Sequence, residues 1–394
     1  MKRIAIVTTH PIQYQAHWFR AMATHPGIDL DVFFCHRATP QQQADAGFGV
    51  AFDWDIPLLD GYPYRWLNNV ARDPSLNRFG GLDTPEIRDI IRNSRYDAVI
   101  NCGWHRKSYW QSILACLRTG TPVMVRSDSH LHTERSALKS AVKFAGYNAF
   151  IPRMNACLAV GKWAREYFRH FGARDDRIFL VPHTIDEKRF GAEVAHLAPC
   201  RQQLRADWKL PQDSVVFLWV AKFISKKRPL DFLRALRLAS AKNSGVHGLM
   251  VGDGPLRAES EIWASDHHAP VTFAGFLNQS EIIKAYVAAD VLVLPSDGGE
   301  TWGLVVNEAM ACGLPCIVSD KVGCGPDLVD RQTGAVFRLG DTEQLASLMS
   351  DFAVDRSVLR KRGEAASQKL KEYSTEVAVN GVLQAVAAVM ENRR

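Results

Sequence analysis

The 394-residue chain has eight cysteines but no Cys-x-x-Cys pair. Cys35, Cys102, Cys116, Cys157, Cys200, Cys312, Cys316 and Cys324 are scattered, several within apolar runs. That usage reads as buried free thiols of a reducing compartment, not as a disulfide framework. Cys312, Cys316 and Cys324 have no nearby His or fourth Cys, so a zinc site is rejected and no metal is expected. No stretch reaches the ~18 apolar residues of a membrane-spanning helix. The apolar run Ile4–Val7 behind Met1-Lys2-Arg3 is too short for a signal peptide and reads as a first strand. The expectation is therefore a cytoplasmic protein, soluble or peripheral on the inner face of the plasma membrane. There is no RNP-like motif, zinc-finger spacing or basic low-complexity arm, so no nucleic-acid partner is expected. There is no low-complexity segment and no sharp internal repeat.

What is present is core material. Hydrophobic residues make up 47% and charged residues 23%, and the length fits two domains of roughly 100–200 residues each. The net charge of +6 is uneven: residues 1–190 hold 25 Lys and Arg against 18 Asp and Glu, the remainder 23 against 24. A basic first half fits either an anionic partner there, such as a membrane surface, or a solvated basic face.

Strand-like apolar runs alternate with helical stretches throughout. Arg3–Thr8, Leu30–Phe34, Ala98–Asn101, Pro122–Val125, Cys157–Val160 and Ile178–Val181 read as strands. Val215–Val220, Gly248–Val251, Val271–Phe273, Val291–Leu294 and Pro315–Val318 repeat the rhythm. Continuous apolar strands separated by crossover helices predict α/β architecture with doubly wound parallel sheets. The expected domains are 1–190 and 191–372, with the boundary within the polar, proline-bracketed region 182–212. A helical tail over 373–394, whose Val379, Val382, Leu383, Val386 and Met390 recur at helical spacing, is expected to pack back on the first half. In such sheets ligands bind beyond the carboxyl ends of the strands.

The strongest chemical signal is Asp297-Gly298-Gly299-Glu300-Thr301-Trp302-Gly303-Leu304-Val305-Val306-Asn307-Glu308, where a strand enters a Gly-rich loop and then a helix. Free amides at a helix start form an anion site. Glu300 in the loop and Glu308 inside the helix are too far apart along it to form an acid/base pair. Either each accepts hydrogen bonds from a different diol, or they are a dipole-stabilising and a solvated glutamate. Lys222, Lys226, Lys227 and Arg228 follow another strand, as a diphosphate grip or as a basic solvated loop. Gly252-Asp253-Gly254-Pro255 forms a third strand-to-helix turn.

Together these residues resemble the family 4 glycosyltransferases. The run Glu300-Thr301-Trp302-Gly303-Leu304-Val305-Val306-Asn307-Glu308-Ala309-Met310-Ala311-Cys312-Gly313-Leu314-Pro315 is similar to that family's motif of two glutamates separated by seven residues. Lys222 and Lys227 match its basic segment, with Lys222 in place of the usual Arg. Gly252-Asp253-Gly254-Pro255, Phe273-Ala274-Gly275-Phe276 and Val181-Pro182-His183-Thr184-Ile185-Asp186 match further landmarks. The likeness is dense over 181–335. Over 1–180 it rests on strand order and on Thr9-His10-Pro11-Ile12-Gln13-Tyr14.

The resemblance implies two Rossmann-like domains facing each other across a cleft (the GT-B fold). It also implies retaining transfer of a sugar from a nucleotide-diphosphate donor to a glycan or lipid-linked acceptor, in cell-surface polysaccharide or glycoconjugate synthesis, with no cofactor and no metal. Glu300 is implied to hold the donor sugar and Glu308 the ribose. Lys222, Lys227 and the amides of Gly303, Leu304 and Val305 take the diphosphate. Gly252 joins the donor site and Phe276 lies near the base. His10, Gln13 and His130 are acceptor-side candidates.

Two departures stand out. His10-Pro11 replaces the family's frequent Gly-Gly pair, and proline offers no amide. Where many members carry a His, Arg126-Ser127-Asp128-Ser129-His130 places Asp128 in register, with His130 two residues on. Asp128 or His130 takes that role, Asp128 being preferred. The triplets Asp53-Trp54-Asp55 and Asp29-Leu30-Asp31 fit a metal-binding D-x-D pattern, but neither lies in a nucleotide motif and both are set aside. A nucleotide-sugar epimerase of the same architecture and a non-catalytic nucleotide-sugar binding subunit remain as alternatives. In Arg135–Tyr147, Arg135, Lys139 and Lys143 recur every four residues beside Leu138, Val142 and Phe144. The segment reads either as a helix at an anionic bilayer or as an ordinary crossover helix.

Overall fold

A computed structural model describes residues 1–37, 53–132 and 137–391, with the backbone alone over 137–142. Its described residues form two compact units. The first takes 1–37, 57–184 and 374–391, and the second 53–56 and 185–373. The division falls between Thr184 and Ile185.

The first unit is a seven-stranded sheet: β1 (Lys2–Thr8), β2 (Ile28–Phe34), β3 (Tyr64–Trp66), β4 (Ala98–Asn101), β5 (Val123–Ser127), β6 (Ala156–Ala159) and β7 (Ile178–Leu180). The spatial order is β3-β2-β1-β4-β5-β6-β7, and every pairing is parallel. Parallel strands covered on both faces explain why Ile4, Ala5, Ile6 and Val7 are all fully buried. One face carries Val7, Val99, Tyr109, Tyr167 and Phe168. The other carries Ile4, Ile6, Trp18, Phe19 and Met22 together with Ala378, Val379, Val382, Val386 and Val389 of the Thr375–Glu391 helix.

The second unit orders six strands β10-β9-β8-β11-β12-β13, again all parallel. They are β8 (Val215–Val220), β9 (Val246–Val251), β10 (Val271–Gly275), β11 (Val291–Leu294), β12 (Cys316–Ser319) and β13 (Gly334–Phe337). Phe217, Trp219, Phe232, Leu236, Val293 and Ile317 lie in its core. Strand order reverses beside β1 in the first sheet and beside β8 in the second, which makes the loops after β1, β4, β8 and β11 the crevice-lining ones.

The stretch after residue 190, polar enough to read as a boundary region, is helical instead, as Glu187–Leu197 and Arg201–Asp207. Asp186 starts the first of these by accepting the Arg189 amide (3.1 Å). Arg205, almost wholly buried, anchors the second through the Ala288 carbonyl (2.9 Å) and the Asp290 carboxylate (2.6 Å). All eight cysteines are free. Among the described residues no helix is long and apolar enough to cross a membrane.

The helix expected near 133–147 spans Ala137–Phe150. Arg135 and the side chains of Leu138, Lys139 and Val142 lie outside the described residues. Lys143 corrects the reading of a cationic stripe, because its ammonium sits 4.6 Å from the Tyr167 ring centre, 5.2 Å from Tyr147 and 5.4 Å from Phe171. It caps an aromatic cluster through cation–π attraction.

Candidate functional site

In the second unit, adjacency of β8 and β11 brings the basic loop against the glycine-rich loop. The Asp297 amide donates to the Lys226 carbonyl (2.8 Å), and Lys226 Nζ donates to the Gly299 carbonyl (3.2 Å). Asp297 Oδ1 accepts the Gly299 amide (2.7 Å), which holds the loop tightly turned. Lys227 Nζ then pairs with Glu300 Oε2, each side chain keeping 13% of its surface exposed. Lys222 stands with them. Burial, then Lys226 and Lys227, lower its pKa to about 8 against the pull of Glu300. Three ammonium groups crowded this way form a site that gains by receiving an anion.

The helix Leu304–Ala311 begins at the same loop. Its Gly303 N-cap has φ +103°, and an added Cβ would lie 3.0 Å from Leu294 Cδ2 and 3.2 Å from Val322 Cγ1, so no other residue fits this turn. The amides of Leu304 and Val305, in the first helical turn, have no acceptor within the helix. Trp302, buried, donates its indole N–H to Asn307 Oδ1 (2.9 Å) and fixes the entry to that helix.

Glu308 is buried and already engaged. Tyr286 donates its hydroxyl to Glu308 Oε2 (2.6 Å). Burial raises the carboxyl pKa, opposed by Tyr286, Arg189 and Gln279. Arg189 in turn donates to the Gln279 carbonyl and to Gln279 Oε1, both at 2.8 Å. Phe276 is half-buried just after β10. Gly252 packs on the backbone, since a Cβ there would lie 1.9 Å from the Ala221 carbonyl oxygen. Its lack of a side chain thus serves the seating of the β8 loop.

In the first unit the carboxyl ends of the strands form a rim of imidazoles and one carboxylate. His10 follows β1, and burial, with His36 beside it, lowers its pKa to about 4. His36 follows β2, His105 follows β4 and Asp128 follows β5. His183 follows β7, its Nε2 3.7 Å from Asp128 Oδ2. Asp128 keeps 37% of its side chain exposed, whereas His130 is buried with its ring 5.4 Å from that of Trp163. Gln13 Oε1 and both amide atoms of Asn101 are buried and have no hydrogen-bond partner among the described residues. Orphaned buried amides of this kind suit a ligand rich in hydroxyls.

The comparisons divide along the same two units. The description "Glycosyltransferase Family 4" matches residues 16–189, and "Glycosyl transferases group 1" matches 201–369. The chain belongs to glycosyltransferase family 4. Sulfoquinovosyl transferase SQD2 of Arabidopsis thaliana is 34% identical over 136 residues, which is 34% of this chain and 26% of that protein. A D-inositol 3-phosphate glycosyltransferase of Streptomyces avermitilis is 24% identical over 73% of this chain and 65% of its own length. The corresponding Nocardia farcinica protein is 27% identical over 85% and 78%. The chain thus spans about a quarter and just under two thirds of the first two relatives.

Among solved structures, a glycosyltransferase of Rickettsia africae matches with TM-score 0.75 at 17% identity over 99% of both chains. Anabaena HepE in complex with UDP and glucose matches with TM-score 0.69 at 15% identity over 98% of this chain and 100% of its own. The family 4 chain therefore has the GT-B fold, two Rossmann-like units.

The sequence-predicted donor residues Lys222, Lys227, Glu300, Gly303, Leu304 and Val305 gather on the two neighbouring loops after β8 and β11, while Glu308 points its carboxylate to Tyr286. Sequence reasoning missed Asn101, His105, Arg126 and His183, although each sits at or just after the end of a strand, where ligand groups belong. Both D-x-D triplets make contacts within the protein. Asp55 accepts from the Ser280 amide (3.0 Å) and the Asp53 carbonyl accepts from Asn278 (2.8 Å). Asp31 accepts from Tyr96 (2.8 Å) and lies beside Arg3. Among the described residues no three His, Cys, Asp or Glu side chains form a metal-holding group.

Proposed function

We propose that the chain is a retaining hexosyltransferase that moves a sugar from a UDP- or GDP-sugar to a glycan or lipid-linked acceptor, as cell-surface polysaccharide synthesis requires. The observation that carries this reading is the Lys227–Glu300 pair, set beside Lys222 and the open amides of Leu304 and Val305. A diphosphate leaving group gathers negative charge as its bond to the sugar breaks. Two ammonium groups and a helix start already in place stabilise that charge without reorganisation. Glu300 takes the sugar hydroxyls, Glu308 the ribose, and Phe276 the base edge. HepE, of the same fold, is described in complex with UDP-glucose, which supports a nucleotide-diphosphate sugar here.

In the reaction the bond from the anomeric carbon to the β-phosphate oxygen breaks. The acceptor oxygen bonds to the same carbon, and its proton ends on the departing phosphate. Asp128 receives a hydrogen bond from the acceptor hydroxyl, with His10 and Gln13 lining the acceptor side. The ammonium groups and amides carry the leaving-group charge, so the proposed chemistry calls for no metal.

A thermal-shift screen with UDP, GDP and their sugars names the donor, because a ligand of the folded state raises Tm. Transfer and hydrolysis assays with that donor then separate a transferase from an epimerase, which releases a free or altered sugar nucleotide, and from a binding subunit, which turns over nothing. No shift with any nucleotide overturns the reading.

A further inference from the structure

His183 is buried between groups of opposite charge where the chain leaves β7. On one side Arg126, itself buried, donates through Nε to the Val181 carbonyl (3.2 Å). Its Nη2 donates to the Pro182 carbonyl (2.7 Å) and to His183 Nδ1 (3.2 Å). The guanidinium carbon lies 4.9 Å from the ring centre of Trp18, so Arg126 is clamped in place. On the other side His183 Nε2 is 3.7 Å from Asp128 Oδ2. The Tyr14 ring meets the imidazole edge-on, centres 5.1 Å apart at 83°.

A guanidinium donates hydrogen bonds and never accepts them. Nδ1 of His183 is therefore the acceptor, and the single proton of the neutral ring sits on Nε2, facing Asp128. This tautomer follows from the hydrogen-bond network. Protonating Nδ1 would break the bond from Arg126 and set a second cation against the guanidinium. Burial acts in the same direction, and with Arg126 it holds the imidazole pKa below its ordinary value although Asp128 pulls the other way. The charged and titratable groups around the ring are Arg126 from β5, Asp128 from the loop after it and Tyr14 from the Gln13–Thr24 helix. The charge of Asp128 also reaches His105.

We propose that His183 is the positioning residue for Asp128. Arg126 locks the imidazole as the Nε2–H tautomer, and that N–H faces one carboxylate oxygen and orients the group so that the other meets the acceptor hydroxyl. His183 neither takes nor gives a proton during turnover. The inference rests on the reading of Asp128 as the acceptor-side carboxylate.

Three readouts test it. In ¹⁵N spectra of histidine-labelled protein, His183 is expected as the neutral Nε2–H tautomer from mildly acidic to mildly alkaline pH. His183→Leu, which has neither acceptor nor donor, is expected to lower kcat about a hundredfold, the scale of a misplacement near 1 Å. It should also move the acid limb of the kcat profile while leaving donor KM and nucleoside-diphosphate affinity unchanged. His183→Gln, whose amide can accept from Arg126 and donate to Asp128, is expected to recover most of that loss. An imidazolium or Nδ1–H form, or a Leu variant with wild-type kcat and pH profile, overturns the proposal. If the Leu variant fails to fold, the wild-type spectrum and the Gln variant decide. Failure of the transfer reading would instead appear as a wild type that neither binds nucleotide nor transfers sugar, and the tautomer would still be read independently.

Discussion

Replacing Lys227 by Met keeps the length of the side chain and removes its charge. Lys227 and Glu300 are each mostly enclosed, a setting in which an effective dielectric near 20 applies. Two unit charges about 4 Å apart then interact by about 4 kcal/mol. Part of that attraction already exists toward the bound, unreacted diphosphate. The share that grows as the leaving group departs is about 2–4 kcal/mol, in line with other lost electrostatic donors. At 1.36 kcal/mol per decade, kcat/KM should fall about 30- to 1,000-fold. A second effect is separable. In Lys227→Met the Glu300 carboxylate remains enclosed without its cation, which should destabilise the fold by about 1–3 kcal/mol. In Lys227→Met/Glu300→Gln both charges are gone, so stability should return while activity does not. Steady-state kinetics with the donor found by thermal shift, beside urea unfolding of all variants, reads both quantities. Wild-type kcat/KM in Lys227→Met would refute the leaving-group role. A double variant as unstable as the single one would refute the energetics of the pair.

Lys222, whose pKa is lowered to about 8, loses its charge as pH rises through that value, so nucleoside-diphosphate affinity should fall across the same range. Because the bound anion favours the ammonium form, calorimetry near pH 8 should show proton uptake as a dependence on buffer ionisation enthalpy, and no such dependence would contradict the assignment. Glu300→Gln should damage turnover more than affinity for the bare nucleoside diphosphate, whereas Glu308→Gln should weaken that affinity itself. Equal losses by titration calorimetry would end this division of roles. Gly252→Ala, which places a Cβ 1.9 Å from the Ala221 oxygen at φ +135°, should cost at least about 1–3 kcal/mol and displace the β8 loop, and an unchanged Tm would count against that packing account. If the helix at Ala137–Phe150 meets an anionic membrane, wild-type protein binds anionic liposomes at low salt and releases them at high salt, and Arg135→Gln with Lys139→Gln weakens this. Lys143 is left intact because its partners are aromatic rings. No binding by the wild type points to a soluble acceptor.

The α/β class was legible because strands covered on both faces must be apolar throughout, as Ile4–Val7 and Val215–Trp219 are. The glycine-rich loop and its helix were legible because local chemistry sets them: Gly303 adopts a backbone angle that other residues avoid. The pairing of Lys227 with Glu300 was not, since the two are 73 positions apart and meet only because β11 lies beside β8. The same holds for His183 with Arg126, 57 positions apart, which meet through the order β5-β6-β7. Asp55 with Ser280, 225 positions apart, is further still from any local signal. Lys143 misled for another reason. Helical periodicity tells which residues share a side, but not whether a lysine stem turns inward over rings. Burial of Glu308 was equally hidden, because its hydroxyl partner Tyr286 comes from a different helix.

The docking of the Thr375–Glu391 helix into the first sheet sets the order in which the molecule can be made. Gly381 lies so near β7 that an added Cβ would be 2.0 Å from the Leu180 carbonyl oxygen. Ala378, Val382 and Val386 close the same core as Ile4 and Ile6. When residue 184 leaves the ribosome, that face of the sheet is still uncovered, and its cover, Thr375–Glu391, is synthesised only after the whole second unit. The second unit, built almost wholly from 185–373, can complete itself first. Closure of the first then joins segments separated by the whole second unit, the kind of contact that forms slowly. The nascent protein must hold an apolar sheet face open until the second unit has been made, and a chain stopped before residue 375 would never cover it. Such a truncated product should aggregate even though it retains every donor-site residue named above.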